Sequence, residues 1–297
     1  MRLSFYPGCS LEGMANDYAR SIDAVFKDLG IELVEIKDWS CCGSTAAHSL
    51  NQAMSAVLPA RNLAAAEKMG LDLVSPCAMC FNRLRFSQNM IKKKVFDIPW
   101  PVTGFSQNMI KKKVFDIPWP VTGNIRVHDM TRFLAEPPMI KLIKERILKP
   151  LNRLRVVCYY GCQMVRPPKI TGYTDYENPQ TIDRIVAATG AKVIDWSYKA
   201  TCCGASIGVA RKEIGESLTR RILQKARQTG AEAIVVSCPL CQSNLDMIQK
   251  DRSKRHTPVF YFTEFLRLSF EEHGDPKWFK MHFTDPVPLL KTKGLLS

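Results

Sequence analysis

The segment Ile234-Val235-Val236-Ser237-Cys238-Pro239-Leu240-Cys241 joins a short run of β-branched residues directly to a Cys-x-x-Cys motif. A run of this length and composition predicts a buried strand. A similar unit occurs earlier, where Leu73-Val74-Ser75 stands just before Cys77-Ala78-Met79-Cys80. The chain of 297 residues therefore contains the same strand-to-cysteine unit twice.

The remaining cysteines follow the same repeat. Each half has a leading cysteine, then a Cys-Cys-Gly element, and then the Cys-x-x-Cys motif, with 34 residues (43 to 76 and 204 to 237) between the Cys-Cys pair and the Cys-x-x-Cys motif. The first set is Cys9, Cys41, Cys42, Cys77 and Cys80, and the second set is Cys162, Cys202, Cys203, Cys238 and Cys241. Ten of the eleven cysteines belong to this scheme, so the repeat is not accidental.

Short apolar runs alternate with amphipathic segments in both halves, which predicts parallel sheets with right-handed helical crossovers. Strands are predicted at 3–6, 32–36, 73–75, 125–129, 156–160, 192–196, 233–237 and 258–262, and helices at 17–29, 51–69, from 82, from 131, at 179–189, 212–228, 241–249 and after the last strand. We expect an α/β protein of two similar Rossmann-like or flavodoxin-like domains, residues 1–150 and 151–297, with mostly parallel sheets related by the internal repeat.

The cysteines are predicted to lie after strands. Cys9, Cys77, Cys162 and Cys238 follow predicted strands directly, and each Cys-Cys-Gly element comes shortly after another strand. The loops beyond the carboxyl ends of the strands form the ligand crevice in open α/β sheets. The five cysteines of each half are therefore expected to converge on one place.

The sequence also predicts the compartment of the protein. The N-terminus lacks the apolar region of a signal peptide, and no apolar run is long enough to span a bilayer. We therefore expect a cytoplasmic protein, whose thiols are kept reduced and do not form disulfides. Metal or redox chemistry then becomes the leading use of the cysteines.

Zinc and an iron–sulfur cluster are the two main candidates for the ligand. Zinc needs four ligands, which leaves a fifth thiol over in each half, and adjacent cysteines fit one tetrahedral ion poorly. Adjacent cysteines suit a larger cluster, in which they can reach different irons. A glycine after each Cys-Cys pair allows the backbone to turn tightly against such a cluster. The pattern favours iron–sulfur chemistry over zinc and over purely structural thiols.

This doubled pattern of C…CCG…CxxC resembles the CCG-domain family, which includes the B subunit of heterodisulfide reductases and the related subunits of sulfur oxidisers. The most specific stretch is YYGCQMVRPP, Tyr159–Pro168. The resemblance implies that the chain consists of two CCG domains, and that each domain binds a noncubane [4Fe-4S] cluster through its five cysteines. It implies these ligands for the two clusters: Cys9, Cys41, Cys42, Cys77 and Cys80, and Cys162, Cys202, Cys203, Cys238 and Cys241.

The resemblance further implies an oxidoreductase acting on sulfur groups within a multi-subunit complex. A catalytic subunit of this type would cleave or form a disulfide, or oxidise a thiol or persulfide-bound sulfur, between the two clusters. The chain has no GxGxxG or P-loop motif. Electrons would then come from or go to a partner, and the resemblance implies two other subunits of the complex, a ferredoxin-like iron–sulfur protein and a flavin-bearing protein. The alternative is an electron-transfer or membrane-docking subunit of a succinate, glycolate, lactate or glycerol-3-phosphate dehydrogenase.

The chain is basic, with 42 Lys and Arg against 28 Asp and Glu and a net charge of +14. The basic residues are spread along the chain instead of forming one stripe with aromatic residues, so nucleic-acid binding is not predicted. A solvated basic face is the first interpretation. Docking to an acidic protein or an anionic membrane surface is the second.

Three further residues have more than one interpretation. Cys158 alternates along a predicted strand outside the repeat, which favours a place in the core over a role in binding the cluster. His128 is interpreted as a packed core histidine, or as a proton donor to a leaving thiolate. Arg166 would neutralise an anionic substrate or a cluster, or form a structural ion pair.

A second repeat is of a different kind. Residues 86–104 are followed by an identical copy at 105–123. This identity indicates either a recent tandem duplication or an artefact of the sequence. The extra chain is expected in the connection after the Cys-x-x-Cys helix of the first domain, where a longer loop costs little entropy.

Overall fold

The computed structural model of the protein describes residues 1–44, 47, 52–93, 121–249 and 256–296. The strands fall into two sheets. They are β1 (Arg2–Phe5), β2 (Glu32–Glu35), β3 (Leu73–Ser75), β4 (Val127–Asp129), β5 (Arg155–Tyr159), β6 (Lys192–Val193), β7 (Ala233–Val236) and β8 (Val259–Tyr261). The strand orders are β2-β1-β3-β4 and β6-β5-β7-β8, and each adjacent pair runs parallel.

Helices connect the strands and cover the sheets. They are α1 (Cys9–Glu12), α2 (Asn16–Asp28), α3 (Gln52–Met69), α4 (Ala78–Lys92), α5 (Met130–Leu134), α6 (Pro137–Arg146), α7 (Cys162–Val165), α8 (Pro168–Thr171), α9 (Thr181–Ala188), α10 (Ala205–Gly208), α11 (Lys212–Gln228), α12 (Pro239–Met247), α13 (Phe262–Phe270) and α14 (Val287–Thr292), with a 3-10 helix at Pro276–Phe279.

The apolar composition of the central strands follows from their position. All residues of β3, β7 and β8 are buried, because helices cover both faces of a parallel sheet. The sequence of β7, Ala-Ile-Val-Val, has no polar side chain that would need a partner in this place. The predicted α/β fold of two similar parallel sheets is confirmed.

Some predicted boundaries were wrong. The predicted strand 192–196 ends at Val193, and the Cys-x-x-Cys helices begin at Ala78 and Pro239, four and two residues earlier than predicted. Proline suits the first turn of a helix, where its missing N–H costs no hydrogen bond, so α12 can start at Pro239. The second cysteine of each motif therefore lies in the first turn of a helix.

The duplicated segment was predicted to lie after the Cys-x-x-Cys helix. This is wrong for its first residues. Residues 86–92 of its first copy belong to α4, because their apolar and polar residues continue the helix. The second copy ends at Gly123, whose carbonyl accepts a hydrogen bond of 2.8 Å from the Gln88 side chain. Residues 94–120, which include most of both copies, lie outside the described residues.

The two halves pack against each other with an approximate twofold relation. Helix α2 of the first half packs on α13 of the second, and α9 of the second half packs on α5 of the first. The rings of Tyr18 and Tyr261 stack at 4.0 Å in the first of these contacts. In the second, the hydroxyls of Thr131 and Thr181 lie 3.0 Å apart.

The Cys-x-x-Cys helices also cross between the halves. Helix α4 contacts α7, which carries the leading cysteine of the second half, and α12 contacts α1, which carries that of the first. The amide of Asn82 on α4 donates hydrogen bonds to the carbonyls of Gln163 and Arg166 at 2.9 and 2.8 Å. Each cysteine set is therefore positioned by both halves.

Replacing Tyr18 by leucine tests this shared interface. The variant loses the stack on Tyr261, and we expect the free energy of unfolding to fall by about 1–3 kcal/mol in a single transition. Tyr176→Leu, at a position 36% exposed, serves as the control and should change the stability by less than about 0.5 kcal/mol. Separate unfolding transitions of the halves, or equal effects of both substitutions in calorimetry, would contradict the shared interface.

Candidate metal centre

Each leading cysteine follows a glycine whose conformation and size are both required. Gly8 has φ of 72° and Gly161 has φ of 69°, a region that side chains strain. A Cβ atom at Gly8 would lie 2.9 Å from the sulfur of Cys80, and one at Gly161 would lie 2.9 Å from the sulfur of Cys241. The glycines therefore let the backbone approach the sulfurs.

The Cys-Cys-Gly elements form tight turns, as the sequence predicted. Gly43 and Gly204 have φ of 69° and 81°. Their backbone N–H groups donate hydrogen bonds of 3.4 and 3.3 Å to the sulfurs of Cys41 and Cys202. These bonds favour the thiolate form of the first cysteine of each pair.

The second cysteine of each pair contacts the end of the Cys-x-x-Cys motif. The sulfurs of Cys42 and Cys80 are 3.3 Å apart, and those of Cys203 and Cys241 are 3.5 Å apart. The first cysteine of each pair is hydrogen-bonded to the leading cysteine of its own half. The structure thus brings the predicted cysteines of each half together.

The two sets also meet each other. The thiols of Cys77, just after β3, and Cys238, just after β7, lie close enough to shift each other's pKa, upward for Cys77 and downward for Cys238. Beside this contact, the Ser237 hydroxyl donates to the carbonyl of Pro76 at 3.3 Å. The sulfurs therefore form two adjacent groups that touch in the interface between the halves.

In each set some cysteines are buried and others reach the surface. The buried cysteines are Cys42, Cys77, Cys80, Cys203, Cys238 and Cys241. Cys9, Cys41 and Cys202 are exposed, and Cys162 is half-buried. Solvent and small molecules can thus reach each set through its leading cysteine and the first cysteine of its pair.

The close grouping of the sulfurs shifts the pKa values of the thiols. Hydrogen bonds with neighbouring sulfurs, together with burial, raise the pKa of the Cys80 and Cys241 thiols well above the ordinary range. The hydrogen bond from Cys162 lowers the pKa of Cys202 to about 6. Buried sulfurs in contact cannot all become thiolates unless a cation replaces their protons.

Two tyrosines support the cysteines, and the sequence reasoning missed them. The hydroxyl of Tyr6 donates to the carbonyl of Ser40 at 2.8 Å, and that of Tyr159 donates to the carbonyl of Thr201 at 2.6 Å. Each of these carbonyls belongs to the residue before a Cys-Cys pair. A tyrosine three residues before each leading cysteine was the signal in the sequence.

One position differs between the two sets. Arg83 lies three residues after Cys80, and burial lowers its pKa while the nearby Cys42 raises it. Asn244 lies three residues after Cys241, and its amide donates to the carbonyl of Cys203 at 2.7 Å. The first set therefore has a guanidinium close by where the second has a neutral amide.

The other residues that the sequence singled out lie apart from these contacts. His128 lies 3.9 Å from Asp72 and packs edge-on against Phe133, and burial lowers its pKa. Arg166 forms an ion pair of 2.5 Å with Glu177. Cys158 is fully buried in β5, and burial raises the pKa of its thiol.

Comparison with known proteins places this geometry in a family. The profile of the cysteine-rich domain family, CCG, matches residues 3–85 and 156–246, which is more than half of the chain. The chain belongs to the CCG family. The two matched regions contain the two cysteine sets, so each half carries one cysteine-rich domain.

Relatives of this CCG protein belong to multi-subunit reductases. It is 30% identical to the membrane anchor subunit of the 8-methylmenaquinol:fumarate reductase of Wolinella succinogenes, over 90% of this chain and 91% of that one. It is 28% identical to the B subunit of the ferredoxin/F420H2-dependent CoB-CoM heterodisulfide reductase of Methanosarcina acetivorans, over 90% and 89%.

A solved structure shares the fold. The crystal structure of a hypothetical protein from Helicobacter pylori superposes with a TM-score of 0.65 and 9% identity. The match covers 95% of this chain and 51% of that one, so the CCG protein spans about half its length. At this identity the likeness concerns the fold alone.

Membership of the CCG family implies iron–sulfur clusters, and the residues present fit them. Each set offers five sulfur donors, one more than a tetrahedral ion uses. The glycine before each leading cysteine leaves room beside the sulfurs that a Cβ atom would fill. Among the described residues, no helix combines the length and apolar character needed to cross a membrane.

Replacing Gly161 by alanine tests the close approach of backbone and sulfur. The new Cβ would collide with Cys241, so we expect the iron content to fall to roughly half, with loss from the second set only. Gly30→Ala is the matched control, because Gly30 has φ of 66° but no atom within 4 Å of an added Cβ. Equal iron loss in both variants, measured per folded chain, would show that strain alone is responsible.

Proposed function

We propose that this chain is the iron–sulfur catalytic subunit of a heterodisulfide reductase-type complex. It holds two noncubane [4Fe-4S] clusters and uses them to cleave or form a disulfide, or to oxidise a thiol or persulfide-bound sulfur. The observation that carries the proposal is the contact of Cys77 with Cys238, which joins two complete cysteine sets. The relatives that are named as B subunits of heterodisulfide reductases support it.

The ligands follow from the two groups of sulfurs. One cluster is held by Cys9, Cys41, Cys42, Cys77 and Cys80, and the other by Cys162, Cys202, Cys203, Cys238 and Cys241. When bound, such clusters supply single electrons and irons that can accept a sulfur ligand. A disulfide takes up two electrons, so two adjacent clusters match its requirement.

The residues of the chain determine where a substrate can approach. The exposed side of each set is formed by its leading cysteine and by the first cysteine of its pair, such as Cys9 with Cys41. The inner sulfurs of Cys77 and Cys238 are buried, which excludes water from the contact between the sets. A substrate sulfur would therefore reach each cluster past its exposed cysteines, with the disulfide lying between the two clusters.

The proposed partners supply or remove these electrons. A ferredoxin-like iron–sulfur subunit and a flavin-bearing subunit, the C and A components of such complexes, would fill these roles, since the chain has no nucleotide-binding motif. The relatives are named as parts of larger reductases, which supports a multi-subunit complex. The net charge of +14 suits docking to acidic electron carriers.

One comparison favours a second candidate function. The relative from Wolinella succinogenes, at 30% identity, is named a membrane anchor subunit of a quinol:fumarate reductase. In that role the two clusters would pass electrons between a quinol and another protein of the complex without disulfide chemistry. Contact with a membrane surface would then accompany the electron transfer.

Electron paramagnetic resonance of the anaerobically purified protein separates the two candidates. With iron and sulfide analysis, we expect about eight irons per chain and a signal from an oxidised cluster that changes when a thiol substrate is added. A signal insensitive to thiols, together with cluster reduction by a menaquinol analogue, would favour the second candidate. Four or fewer irons, or about two zinc ions per chain, would overturn both.

Replacing Cys203 by alanine tests the ligand assignment. The variant removes one sulfur of the second set, and we expect it to lose roughly half of its iron while the first cluster keeps its spectrum. Cys158→Ala is the matched control, because Cys158 is buried outside both sets. Full iron content in the Cys203 variant would show that the assignment is wrong.

A further inference from the structure

A second group of metal-ligating side chains lies away from the sulfurs. Asp17 on α2, Glu264 on α13 and His282 near the C-terminus offer ligand atoms that all lie within 4.8 Å of one another. The Nε2 atom of His282 is 2.9 Å from Oε1 of Glu264 and 3.6 Å from Oδ2 of Asp17. The three side chains come from both halves and from the C-terminal segment.

Each carboxylate is held so that one oxygen remains for a ligand. Oδ1 of Asp17 accepts a hydrogen bond of 2.9 Å from the backbone N–H of Tyr18. Oε2 of Glu264 accepts one of 2.8 Å from the backbone N–H of Tyr261. The other oxygens face the imidazole, and metal-binding carboxylates are oriented by outer hydrogen bonds in this way.

The proton of an imidazolium balances the charges only in part. The side chains of Asp17, Glu264 and His282 are 6%, 3% and 0% exposed. A protonated His282 would leave one of the two buried negative charges uncompensated. Its Nδ1 has no hydrogen-bond partner among the described residues, so the ring would also bury a cationic N–H without an acceptor.

A divalent cation removes the first difficulty and reduces the second. It balances the formal charge of two carboxylates when the imidazole is neutral, and a neutral N–H is less costly to bury than a cationic one. We propose that Asp17, Glu264 and His282 form a divalent-cation site that ties α2, α13 and the C-terminal segment together. Its mixed nitrogen and oxygen donors suit manganese, ferrous iron or zinc.

An adjacent cavity gives access to this cation site. It has a volume of about 360 Å³, and its lining includes Asp17, Asp23 and Glu264. Water in the cavity can fill the remaining coordination positions of the ion. Three basic side chains also line the cavity, those of Arg20, Arg267 and Lys277. Arg267 is engaged by Glu271 at 3.4 Å and by the ring of Trp278 at 3.7 Å.

The contact of α9 with α5 is the counterpart, in the internal repeat, of the contact of α2 with α13, but its side chains differ. Glu264 follows Thr263, whereas the matching Thr131 is followed by Arg132. The guanidinium of Arg132 donates a hydrogen bond of 3.0 Å to the carbonyl of Gly172 and lies over the ring of Tyr173. In that contact the chain supplies its own cation, whereas the contact of α2 with α13 gathers carboxylates around one histidine.

Binding of Mn²⁺ tests the cation site without interference from the thiols, because manganese prefers carboxylate and imidazole ligands to thiolates. The anaerobically purified full chain is dialysed against EDTA and then against MnCl₂, and the bound manganese is counted. We expect about one Mn²⁺ per chain and a higher melting temperature in its presence. Glu264→Gln, which can still accept the hydrogen bond from Tyr261, should weaken the binding at least tenfold, roughly the loss expected for a missing charged ligand.

Asp23→Asn is the matched control, since it removes a carboxylate from the same cavity but outside the three ligands. It should bind Mn²⁺ as the wild-type protein does. Asp17→Asn provides a second ligand variant if the Glu264 variant does not fold. Folded wild-type protein without saturable Mn²⁺ binding would overturn the proposal, and so would an equal loss of binding in the Asp23 variant.

Discussion

The contact between buried sulfurs is the interaction on which the rest of the structure depends. Parallel strands deliver their cysteines to one edge of each sheet, and the contact of Cys77 with Cys238 brings the two edges together. So many thiols in one buried place would repel one another as thiolates, and a bound cofactor relieves this repulsion. The glycines at 8 and 161 and the tyrosines at 6 and 159 maintain this crowded arrangement.

The packing of the halves explains why the cysteine sets are not independent. Helix α4 continues from the first Cys-x-x-Cys motif and holds α7 of the second half through Asn82. On the opposite side, α2 and α13 pack through the stacked rings of Tyr18 and Tyr261. Each cysteine set is therefore held in place by contacts from both halves.

Much of this could be predicted from the sequence, because periodicity and cysteine spacing are local signals. The strands before Cys77 and Cys238 and the doubled cysteine pattern predicted the fold and the grouping within each half. The contacts between the halves have no such signal, since they join residues far apart in the chain. The group of Asp17, Glu264 and His282 was missed for this reason, as its members have no regular spacing.

Anomalous diffraction from anaerobic crystals would locate the iron within the protein. Difference maps from data collected at the iron edge should show two separate iron centres, one in each half, on either side of the contact between Cys77 and Cys238. The anomalous signal of neither centre should increase when the X-ray energy is raised across the zinc edge. A single iron centre, or peaks that appear at the zinc edge instead, would contradict the account of two adjoining iron–sulfur clusters.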